Sequence, residues 1–273
     1  MVFEQFLESD EIKKNALFIF LLGIFYVAAG YVVSVYFFQG AVSVAMLFTT
    51  TLLLTPSIFT ILKIEEKIES KEGIRRFFYN HKDIFKIYLF LFIGIFFAFS
   101  FLSYVSGEEV FSYQMNILET RGDLSIDVIN DFKETEYSRS LGDLGNLISY
   151  NLAVVLISFV LSLFYGAGAL FLIVLNASVF AVFIMYIVKA VGKAFPIMLL
   201  FLIHLIPEIG GFLVAAIAGG VLSRAIMREK FGSPGFRNVM QDALVLLLVA
   251  VGLVIIGAVL ELFVTAPLVR SVL

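Results

Sequence analysis

The sequence contains no cysteine and no tryptophan, and only two histidines and five prolines in 273 residues. Without cysteine there is no disulfide, no thiolate metal site and no cysteine nucleophile. Without tryptophan, an aromatic belt at a membrane surface has to come from tyrosine. Tyr36, Tyr79, Tyr88, Tyr104, Tyr150 and Tyr165 fall near the ends of apolar runs. Charge is scarce as well. Only 15% of the residues are charged, against about 25% in a soluble domain, and they cluster between the apolar runs. A net charge of −3 offers no field to attract nucleic acid.

What fills the chain is apolar. The hydrophobic share is 61% and the mean hydropathy is +1.02. Crossing the hydrocarbon core takes about 20 apolar residues in a helix. Runs of that kind are Asn15–Phe38, Ala41–Leu62, Ile84–Val105, Leu147–Tyr165, Ala167–Val188, Ala194–Leu222 and Ala243–Ala266. The expected fold is therefore all-α: a polytopic membrane protein of about seven transmembrane helices in the cell membrane. The leading "MVFEQFLESDEIKK" is acidic before it is basic and lacks a small-residue cleavage site, so the first run reads as a retained span. "FFQGA" and "YGAGA" read as tight turns, making hairpins of spans one and two and of spans four and five.

Cations set orientation. With the N-terminus cytosolic, thirteen Lys and Arg lie inside and six outside, three of the six in one long loop. Lys189 and Lys193 fit this arrangement poorly. They would fit better if the sixth run were not one simple crossing.

Two units follow. Residues 1–83 form a two-helix hairpin with a cytosolic extension, "KIEEKIESKEGIRRFFYNHKD". Its Ile61, Ile64 and Ile68 make a helical stripe among charges of both signs, with Gly73 at its end. Residues 84–273 form a core of about five spans with an acidic outer loop, 106–146, which carries nine acidic and three basic residues. In that loop Val110, Phe111, Met115 and Leu118, and then Leu124, Val128, Ile129 and Phe132, recur at helical spacing, with Ser125 as a cap. Two short amphipathic helices over the outer face are expected. They would serve as a lid on their own protein, an oligomer contact or a dock for an envelope or membrane partner.

Polar side chains inside spans face a bundle interior or a cavity. They are Asn151, Asn176, His204, Glu208 and Glu261. Asn176 reads first as an interhelical hydrogen-bond link, with a substrate contact as the alternative. His204 and Glu208 are i,i+4 and share one helix face. Between them Pro207 removes the bond to the Ile203 carbonyl, and Gly210 and Gly211 follow, so a broken or kinked helix is expected. Such breaks build the binding sites of many transporters. The plainer reading is a His–Glu pair that knits the bundle, and the alternative is a proton or ion relay. A metal would need a third ligand, and Glu261 is the only carboxylate at hand. The H-E-x-x-H pattern is absent, and neither a metal, a cofactor nor a catalytic residue is expected. Beyond the proline, Gly211, Ala215 and Gly219 form a small-residue face that suits close helix packing, within the bundle or in a homodimer.

"HLIPEIGGFLVAAIAGGVLSRAI", a short link, and "DALVLLLVAVGLVIIGAVLELFVTAP" resemble the stage II sporulation protein M family. His204, Glu208, Gly211, Ala215, Gly219, Glu261 and Pro267 match its pattern, and so do Asn151 and Asn176. Leu205 and Pro207 depart from it beside the His. The resemblance spans about Ile84 to Pro267. It implies an integral membrane scaffold or assembly factor rather than an enzyme, as for the endospore relatives that hold cell-wall hydrolases. For relatives outside sporulating bacteria it implies a transporter as the alternative. Ile-, Phe-, Lys- and Glu-rich usage without cysteine fits an archaeal or thermophilic member.

Overall fold

The computed structural model describes residues 15–72, 77–121, 141–165, 169–191 and 194–272. Among them the regular structure is helical throughout. Helix α1 (Ala16–Phe37) starts at Asn15, whose side chain accepts a hydrogen bond from the Phe18 amide. The chain reverses over residues 38–41, where the Ala41 amide bonds the Phe38 carbonyl, and enters α2 (Val42–Glu72). The reversal at "FFQGA" is thus a tight turn. The "YGAGA" turn, Gly73, the second expected outer helix and Lys193 lie outside the described residues.

Helix α3 (Phe77–Val105) begins a full two turns before the apolar run does. A 3-10 turn (Glu108–Phe111) and the short α4 (Ser112–Arg121) follow. The remaining elements are α5 (Leu141–Tyr165), α6 (Ala169–Val191), α7 (Ala194–Arg228), α8 (Pro234–Leu260), a π-helical turn (Glu261–Thr265) and α9 (Ala266–Val272). Ser233 caps α8 through the Phe236 amide, Pro234 opens the helix, and Gly232 takes the positive φ that the preceding turn requires.

Six of these helices, α1, α3, α5, α6, α7 and α8, are long and apolar enough to cross a membrane. In α2 the apolar stretch Val42–Ile58 covers the part of the expected span Ala41–Leu62 whose side chains are described. The outer faces are greasy: Leu17, Leu21, Phe25, Leu52, Phe101, Leu156, Phe164 and Leu248 are all exposed. In water such faces would not stay open, and hydrocarbon is the solvent that suits them. This is a polytopic all-α membrane protein.

Helix α7 is the hub and packs on α8, α5, α6, α2 and α3. Its 35 residues span about 52 Å at 1.5 Å per residue, so it has the length of one crossing with turns to spare. It does not unwind at Pro207, Gly210 and Gly211 as a broken helix would. Helix continues through all three, because a proline removes one hydrogen bond and the turns on either side persist. The glycines serve contact instead. A Cβ at Gly211 would strike Val254 and lie 2.8 Å from the Ala250 carbonyl oxygen, and one at Gly219 would strike the Phe159 carbonyl. The small-residue face is therefore filled by α8 and α5 of the same chain. Lys189, the charge that fitted the orientation poorly, donates from Nζ to the Ser103 carbonyl at 2.9 Å. It neutralises the C-terminal end of α3.

Candidate intramembrane polar site

His204 and Glu208 lie one turn apart on α7 and are buried, with exposures of 3% and 2%. The wide π-turn after α8 brings Glu261 to them. One donor atom from each of His204, Glu208 and Glu261 lies within 4.8 Å of the others. The turn is wide for a local reason. In a regular α-helix the Pro267 ring would collide with the carbonyl four residues back, and the register opens so that the Ala266 amide bonds the Glu261 carbonyl. Such π-turns recur at functional sites because they re-aim a side chain without ending the helix.

Each member of the cluster is held from outside it. Asn151 of α5 donates from Nδ2 to Glu208 Oε1 at 2.8 Å. His204 Nδ1 lies 3.0 Å from the Thr265 hydroxyl. The Phe201 ring stands edge-on to the imidazole, 5.8 Å between centroids. Gly257 leaves the room that Glu208 fills, since a Cβ there would run into Glu208 Cγ.

The polar group is not sealed. A cavity of about 160 Å³ is lined by Asn151, Asn176 and Glu261, with Tyr150, Phe212 and Leu118 among its apolar wall. That volume holds several waters. Asn176 has no hydrogen-bond partner among the described residues, and its half-buried amide faces this space. Leu118 comes from α4, so this short helix caps the cavity. Gln114 anchors that cap. It accepts from the Ser43 hydroxyl at 2.5 Å and donates to Ser178 at 3.2 Å.

All five polar residues named from the sequence thus converge. Asn151, Asn176 and Glu261 line the cavity, and His204 and Glu208 stand behind them. Thr265 and Gly257 were not singled out. Both lie four residues from Glu261 and so share its helix face, a spacing that signals them once Glu261 is the anchor.

A protein-family model described as SpoIIM, stage II sporulation protein M, matches residues 87–266. No curated protein and no solved structure matches the chain.

Proposed function

Because the chain belongs to the stage II sporulation protein M family and has six helices long and apolar enough to cross a membrane, we propose for it a transporter-type role, with a small polar or ionic solute bound in the capped cavity. The observation that carries the reading is the unpartnered Asn176 amide facing the same space as Glu261 and Asn151. A polar group at membrane depth is tolerated where it meets water, solute or a bonded partner. A scaffold would present the 106–146 segment to an envelope partner. The described part of that segment instead spends Gln114 on Ser43 and Ser178 and Leu118 on the cavity wall. The cap over the mouth fits a lid.

The absence of cysteine makes the test direct. In membranes containing Asn176→Cys, a small hydrophilic thiol reagent labels position 176. It leaves Val174→Cys unlabelled, since Val174 is fully buried two residues away. Equal and negligible labelling at both positions would refute the cavity reading.

A further inference from the structure

We infer that His204, Glu208 and Glu261 bind one divalent transition-metal cation. The inference rests on the cavity reading and names the ligand class of that same site. Two carboxyl groups and an imidazole stand with donor atoms within 4.8 Å of one another, His204 and Glu208 buried and Glu261 at the cavity. Two carboxylates so placed need positive charge beside them. A dication matches the two carboxylates charge for charge.

The donor set selects among dications. One imidazole with two carboxylates is the mixed nitrogen and oxygen set that suits Zn²⁺ and its neighbours, whereas Mg²⁺ and Ca²⁺ prefer oxygen alone. Around a tetrahedral Zn²⁺, ligand atoms stand about 3.4 Å apart, from bonds of about 2.0–2.1 Å. Side-chain adjustments of about an ångström close the present triangle onto an ion. The supporting bonds match those of a metal site. With Nδ1 held by Thr265, Nε2 is the nitrogen left to ligate. With Oε1 held by Asn151, Glu208 keeps Oε2. Metal-binding His and carboxylate side chains are oriented by such outer partners. Glu261, the ligand that also lines the cavity, leaves the fourth position to water or a solute on that side.

The test uses the tag-free full chain in detergent, stripped with a chelator and titrated calorimetrically with Zn²⁺, Mg²⁺ or Ca²⁺. One Zn²⁺ per chain is expected, with Mg²⁺ and Ca²⁺ at least tenfold weaker. Asn151→Ala, which removes only the outer support of Glu208, weakens Zn²⁺ by about 10–100-fold. Glu261→Gln abolishes the binding. His81→Gln, which removes the other imidazole of the chain, leaves it unchanged. Absence of Zn²⁺ binding by the wild-type chain overturns the inference, whatever the variants do, and so does undiminished binding by a folded Glu261→Gln. Labelling of Asn176→Cys in the same preparations separates the two levels. A labelled cavity without Zn²⁺ binding removes the cation and keeps the solute site, whereas an unlabelled one removes both.

Discussion

The amino-terminal hairpin and the α5–α7–α8 core both bury polar side chains, and they do so in different ways. In the hairpin the groups are neutral, and two sets of them close on each other. The Tyr26 and Ser57 hydroxyls lie 2.6 Å apart. Ser34 donates to the Gly30 carbonyl at 2.7 Å and meets Thr49 at 3.2 Å. Such links glue helices together and ask nothing of a solvent. In the core the groups of the site are an imidazole, two carboxyls and the Asn151 amide, with one edge of the set left against a cavity that Asn176 of α6 also lines. The cost of placing ionisable groups there is larger, and packing alone does not need them. The contrast sets links that close on themselves apart from a polar group that opens on a cavity.

Mutations can break or sharpen that contrast. Glu208→Ala should have the largest effect. It strips the Asn151 amide of its acceptor and leaves a void, at a cost of about 2–4 kcal/mol in unfolding experiments followed by far-UV circular dichroism. Gly257→Ala comes next. Its Cβ would collide with Glu208 Cγ, an overpacking of about 1–3 kcal/mol. It should also impair Zn²⁺ binding, whereas Gly94→Ala, which strikes the Phe20 carbonyl at the α1–α3 crossing, should destabilise and leave binding intact. Tyr26→Phe should cost only about 1 kcal/mol, the ordinary worth of a buried hydrogen bond. The finest comparison is a pair of double-mutant cycles. The coupling of Asn151 to Glu208 should exceed that of Tyr26 to Ser57, which should stay near the average of about 0.6 kcal/mol for links between membrane helices. Equal couplings would erase the distinction.

Much of this was legible in the sequence because membrane helices are written in long apolar runs. The polar residues stand out against that background, so Asn151, Asn176, His204, Glu208 and Glu261 could be named without knowing that one site gathers them. The i,i+4 spacing put His204 and Glu208 on one face. Nothing in a helical period says which face of α8 meets them, and that depends on the π-turn before Pro267. The glycines after Pro207 illustrate the same limit. As local signals they suggested unwinding. The decisive influence on Gly211 is the backbone of α8 against it, a contact between segments some forty residues apart in sequence. Lys189 looked misplaced until the end of α3 supplied its acceptor.

The central claim, that the core polar group opens on a solvated site, can be tested most directly by an experimental density map of the chain in lipid at a resolution that resolves bound water. Ordered water or an ion touching both Asn176 and Glu261 in the space beneath Leu118 is the expected result. A collapsed, dry space, with the Asn176 amide bonded directly to a neighbouring helix, would contradict it.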